Sequence, residues 1–122
     1  MKVLCVRLPA PVDGMGLDSS PWVTVDAEYT VIGVLAEFGG RIQLHLLTDD
    51  GRSFGWFDSD CFLTADPAIP ANWSARIGEG GTLELAPQGW LAEGFWERYY
   101  DGDLAARESV ARELAIVLGE AS

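Results

Sequence analysis

Positive charge is scarce in this chain: 8 Lys and Arg stand against 19 Asp and Glu, a formal net charge of −11 over 122 residues. A surface of that sign repels DNA, RNA and anionic membranes, so recognition of nucleic acid through a basic patch is excluded; the acidity either draws a cationic partner or serves solubility alone. Histidine occurs once, at His45, and cysteine twice, at Cys5 and Cys61. These three lie far apart and do not repeat, which excludes the grouped ligands of a zinc site. Two cysteines permit one disulfide at most, whereas a secreted scaffold of this size carries more at tighter spacings. Both sit in apolar, strand-like runs, so they read as buried free thiols in a reducing compartment. No apolar run approaches the ~18 residues of a membrane span. The opening stretch Met1–Leu8 is interrupted at Arg7 and then by Pro9 and Pro11, too short for the apolar core of a signal peptide. The expected location is the cytoplasm.

Catalytic signatures are missing as well. An activated Ser or Cys needs a neighbouring base, and the single imidazole is in no motif with either thiol. The glycines of Gly78-Glu79-Gly80-Gly81 lack the Lys-Ser/Thr ending of a phosphate loop. Asp58-Ser59-Asp60 begins like a calcium loop but lacks the later ligands and the bidentate glutamate. Carboxylate pairs can always be drawn from 19 acids, so their presence does not argue for glycoside chemistry. No catalytic residue, metal or cofactor is expected.

What is present is apolar and aromatic: 48% hydrophobic residues, 11% aromatic, and five tryptophans. That composition belongs to a globular domain, and the length fits one domain spanning 1–122. The residues between Pro9 and Pro21 are rich in Gly, Asp, Ser and Pro and predict a mobile loop over 9–21. Before it, 2–8 reads as a strand. From 22 to 86 the pattern is mainly β: short apolar runs with polar punctuation. Glu28–Leu35 is β-branched and aromatic, and Gly39-Gly40 supplies a turn. Arg41–Leu46 alternates, placing Ile42, Leu44 and Leu46 toward the core and His45 toward solvent. Asp49-Asp50-Gly51 is a tight-turn signal, followed by a return strand at Ser53–Phe57 and another at Cys61–Thr64. Trp73–Ile77 and Thr82–Leu85 read as a second hairpin around Glu79-Gly80-Gly81.

From 87 to 119 the pattern is helical. Phe95–Tyr100 is a short aromatic helix ended by Asp101-Gly102-Asp103. Asp103 can cap a last helix from about Leu104 to Leu118 that stops at Gly119. Val110, Leu114, Val117 and Leu118 recur at helical spacing, with Glu108 and Arg112 paired on the other side. Strands first and helices last give an α+β fold. Its expected form is a small, strongly bent antiparallel SH3-like barrel, then a β-hairpin and two C-terminal helices.

Two groups of residues could carry a function. Asp49, Asp50, Asp58, Asp60 and Asp66 fall on hairpin tips and strand ends, where they can form an electrostatic docking surface or serve as turn-forming residues on a solvated rim. Trp56 or Trp73, if exposed, would be the anchor of such a surface. Trp90, Phe95, Trp96, Tyr99 and Tyr100 form the second group, at spacings that dock a helix on a sheet, with a ligand cage as the alternative.

The run from Trp22 to the C-terminus resembles the immunity proteins that accompany bacterial polymorphic toxins. The carrying segments are Glu28–Val31, Asp50-Gly51 to Phe57-Asp58, Phe62 to Asp66, Ile69-Pro70-Ala71-Asn72-Trp73, and Phe95–Glu97 to Asp101–Asp103. The resemblance implies an SH3-like barrel half with a helical end, and a protein that binds a cognate toxin and blocks it. Its motifs are structural and transfer no functional residue. A non-catalytic protein-binding domain that neutralises a basic toxin is therefore the first reading. An SH3-like regulatory or scaffold module that binds a peptide or partner subunit is the alternative, and an enzyme using carboxylates is a third.

Overall fold

The computed structural model describes residues 1–8, 22–37 and 39–121; the loop expected over 9–21 lies outside the described residues. Among the described residues seven strands come first: β1 Lys2–Cys5, β2 Glu28–Ala36, β3 Ile42–Leu47, β4 Phe54–Asp58, β5 Phe62–Asp66, β6 Trp73–Ile77 and β7 Leu83–Pro87. Helices α1 Phe95–Tyr100 and α2 Leu104–Ala121 follow, and single 3-10 turns occupy Ser59–Cys61, Glu79–Gly81 and Gln88–Leu91. The α+β expectation holds, as does the second hairpin.

All pairing is antiparallel, in the order β4-β3-β2-β1-β5, with β7 added to β2 and β6 to β7. The expected barrel is not closed. β4 and β5 stand at the two ends of the five-strand path and do not pair with each other, so the sheet stays open. β2, the longest strand, explains the layout. One of its edges pairs with β3 through Val31–Ala36. The other edge is divided between β1 at Glu28–Thr30 and β7 at Val34–Ala36.

A register shift between Val31 and Gly33 places one extra residue in β2. Such a bulge breaks the strict alternation of faces. Val31 joins one core with Val3, Cys5, Val23, Tyr29, Leu44, Leu46, Cys61 and Phe62. Its neighbour Ile32 joins another with Trp90, Phe95, Ala106, Val110 and Val117, beneath the helices. Both faces of the sheet are therefore buried along part of their length.

Local signals account for the helix ends. Asp103 Oδ1 accepts the Ala106 N–H at 3.1 Å, the expected cap of α2. Gly102, at φ 90, turns the chain out of α1. Several expectations need correction. The first strand stops at Cys5 rather than running to residue 8. Helix α2 continues through Gly119 to Ala121, because one glycine lowers helix propensity by only ~1 kcal/mol. Arg112 meets Glu113 at 3.5 Å rather than Glu108. Leu118 is exposed although Val117 is fully buried, since the buried stripe of α2 is narrower than the spacing suggested. Ile42, expected in the core with Leu44 and Leu46, is 41% exposed, because it lies at the end of β3 beyond the reach of the first core.

The contrast between Leu46 and Ile42 is testable. Leu46→Ala empties a fully buried site and should cost about 2–5 kcal/mol in urea denaturation, while Ile42→Ala should cost less than about 1 kcal/mol. Equal losses would contradict the register of β3.

Candidate functional site

Among the described residues strand β4 is an edge: it pairs with β3 on one side, and its other side ends the sheet. An edge strand offers backbone N–H and C=O groups to an incoming chain. Trp56 lies at its middle and is 45% exposed, with His45 of β3 directly opposite in register. The two rings are stacked, centroids 4.2 Å apart and planes within 4°. His45 in turn meets Trp96 of α1 edge-on at 4.9 Å and Phe54 at 5.8 Å.

This corrects the expected orientation of His45. It is only 4% exposed, because the face away from Leu44 and Leu46 is covered by α1 rather than by water. Desolvation pushes its pKa down to about 3, so the ring is neutral near pH 7. A neutral imidazole is a flat aromatic plate, and here it backs the exposed indole of Trp56.

Trp22 adds a second exposed indole. Its carbonyl accepts the Asp49 N–H at 2.8 Å, which ties its backbone to the β3–β4 hairpin. Trp22, Thr48, Phe54, Gly55, Trp56 and Phe57 line a shallow groove of about 250 Å³ along the edge. Trp73, the other nominated anchor, is half-buried and packs against both cores, which removes it from the surface role.

The five nominated aspartates do fall at turns and strand ends, but they do not form one patch. Asp49 and Asp50 are in the turn before β4, and Asp58 is at its far end, roughly 13 Å or more along the strand. Asp49 accepts hydrogen bonds from the Tyr29 hydroxyl at 2.5 Å and Thr24 Oγ1 at 2.9 Å. Asp50 closes its own turn. It accepts from the Ser53 hydroxyl and the backbone N–H groups of Ser53 and Arg52, with Thr48 Oγ1 at 3.1 Å. Those bonds, the Ser53 hydroxyl first, hold its carboxyl well below the usual carboxylate range. Asp58 pairs with Arg41 at 2.9 Å. Asp60 is exposed in the 3-10 turn after β4. Asp66 ends β5 and accepts the Ala68 N–H at 3.0 Å. The edge therefore has an aromatic centre with carboxylates at both ends, while Asp66 belongs to β5.

Neither cysteine is poised for chemistry. Both are free and buried, as expected. Burial, then the neighbouring Asp60, pushes the Cys61 thiol up to about 11, and burial also raises Cys5. A thiol so held is a poor nucleophile at neutral pH. No three His, Cys, Asp or Glu side chains group as a possible metal site among the described residues. No helix among them is long and apolar enough to cross a membrane.

Sequence reasoning missed His45 and Trp22 as parts of this edge. The spacing of Phe54 and Trp56, two residues apart, places both rings on one face and was the available hint that the opposite side of β3 is aromatic. No family model, curated protein or solved structure matches this chain.

Burial of a neutral histidine fixes a sign. The unfolded chain takes up a proton below pH ~6.5, whereas folded His45 does so only near pH 3, so its contribution is complete above pH ~6.5 and is lost as pH falls toward 3. By pH 4 the wild type should lose on the order of 3 kcal/mol more than His45→Phe, measured by urea unfolding at pH 7 and pH 4. Equal losses would show that the ring is not buried.

Proposed function

We propose that this chain is a non-catalytic, cytoplasmic protein-binding domain that captures a cationic partner along the β4 edge. The partner we infer is a basic toxin, which the domain neutralises by covering it. The observation that supports the reading is Trp56: a half-exposed indole held flat on a buried, neutral His45, at the centre of a strand that forms an edge of the sheet among the described residues.

Tryptophan is enriched among the few residues that dominate binding energy, and an anchor already held in place loses little rotamer freedom on association. Backbone groups of β4 can extend the sheet into a partner strand, while the apolar groove beside them receives alternate side chains. Asp49 and Asp50 at one end, and Asp58 and Asp60 at the other, bracket the anchor. With a net charge of −11 they draw a basic protein by long-range attraction, which acts chiefly on the association rate.

The test is capture at low salt from a lysate of the source cells, elution with salt, and stopped-flow association of the eluted polypeptide. One basic polypeptide is expected. Its association rate should fall about tenfold or more as salt is raised, and Trp56→Ala should weaken binding about 30-fold with an unchanged circular dichroism spectrum. A partner bound equally well at high salt and by Trp56→Ala would overturn the proposal, as would the absence of any partner. An acidic or neutral peptide retained in the groove at high salt would instead favour a regulatory module.

A further inference from the structure

A groove lies between the β3–β4 hairpin and the two helices. Leu47 of β3, Phe54 of β4, Tyr99 of α1, and Val110 and Leu114 of α2 line it with apolar and aromatic surface. Its volume is about 280 Å³, just below the ~300–1,000 Å³ of a site for a drug-sized molecule. Arg52 and Arg107 line it as well, and among the described residues no acid does. The chain has only 8 Lys and Arg against 19 Asp and Glu, so a wall with two cations and no carboxylate runs against its composition.

Arg107, Val110, Ala111 and Leu114 stand at helical spacing on α2 and so share one face. The guanidinium of Arg107 lies over the Tyr99 ring, 4.9 Å from its centroid. Stacking engages the flat face of the guanidinium and leaves its in-plane N–H groups free for an acceptor. Arg52 comes from the hairpin turn, where its backbone N–H donates to Asp50 Oδ1 at 2.8 Å. Among the described residues neither guanidinium joins an ion pair or a hydrogen bond. Other arginines are engaged: Arg7 and Arg76 donate to backbone carbonyls, and Arg41 and Arg112 meet carboxylates. The acids on either side of the groove are committed elsewhere. Asp50 is held by its own turn, and Asp103, one helical turn before Arg107, by its cap bond.

A guanidinium presents a planar fork of donors that matches the two oxygens of a carboxylate. The apolar floor gains from a ligand body that displaces water from it. The net charge of −11 repels anions at long range, so both contacts must act locally for an anion to be held. A bare inorganic anion would use the arginines and leave the floor wet, and a neutral apolar molecule would leave the arginines unused. We infer that this groove binds a small monocarboxylate with a short aliphatic body. Arg52 and Arg107 hold the carboxylate, and the body lies on Leu47, Val110 and Leu114. The inference goes beyond the protein-binding reading and does not depend on Trp56, which is no part of this groove.

The experiment needs no protein partner. The full chain is titrated at constant ionic strength with hexanoate, with its neutral isostere hexanamide and with acetate, followed by calorimetry and by backbone amide NMR shifts. Hexanoate should saturate and bind about tenfold tighter than hexanamide, because only the acid pairs with the guanidinium groups. Acetate, which lacks the apolar body, should not saturate over the same range. Shifts should gather at Arg52 and along α2 from Arg107 to Leu114. Arg52→Gln and Arg107→Gln should each weaken hexanoate about tenfold and leave hexanamide unchanged. Arg107→Lys should keep part of the preference, and Ala111→Phe should block both probes by filling the groove. All four positions are at the surface or in the groove wall, and an unchanged circular dichroism spectrum checks that each variant is folded. Equal binding of acid and amide, saturation by neither, or full hexanoate affinity in both glutamine variants would overturn the inference. A peptide with a free C-terminal leucine that saturates where hexanoate does not would overturn it as well, and would assign the groove to a chain terminus.

Discussion

One strand is shared by nearly every other part of this protein. β2 pairs with β3 along one edge and with β1 and then β7 along the other, so among the described residues the five-strand path and the second hairpin are joined by strand pairing only through it. Its bulge sends Val31 into one core and Ile32 into the other. Without that extra residue, every side chain after Val31 would change face, because a strand has a period of two. The helices pack where Ile32 points, and the sheet acquires a second buried face.

That second face is aromatic rather than aliphatic, and its chain of rings runs from the solvent inward. Trp56 stacks on His45, His45 meets Trp96, and Trp96 meets Trp90 and Phe95. Each contact restrains the next ring, so the exposed indole is positioned by packing that begins under α1. A buried histidine serves here only because it stays neutral. As a cation it would need a partner that the rings do not provide.

The carboxylates divide between local structure and the long-range field. Asp50, Asp66 and Asp103 each satisfy backbone N–H groups in their own turn or helix cap, and Asp49 holds the Tyr29 hydroxyl. These are reasons of folding, independent of any partner. Their charge still adds to the potential of the whole surface. A docking face in such a protein is defined by its apolar anchor, and the acids around it set how fast a cation arrives.

The amino-acid sequence by itself determined what depends on neighbours a few residues away. The α1 segment Phe95–Tyr100, the Asp103 cap, the second hairpin and the alternation of β3 follow from bonds and spacings within single turns or strands. The tertiary structure decided which faces and ends are covered. Alternation separates His45 from Leu44 and Leu46, but only the arrival of α1, about fifty positions later in the chain, makes its side an interior. Ile42 shares the face of Leu46 and remains exposed because it sits at the end of β3, outside the first core. Trp73 and Trp56 look alike in sequence, each within a short strand. One packs between two cores and the other stands on an open edge. Burial is a property of what packs from a distance, and a two-residue period assigns a side chain to a face without saying what lies over that face.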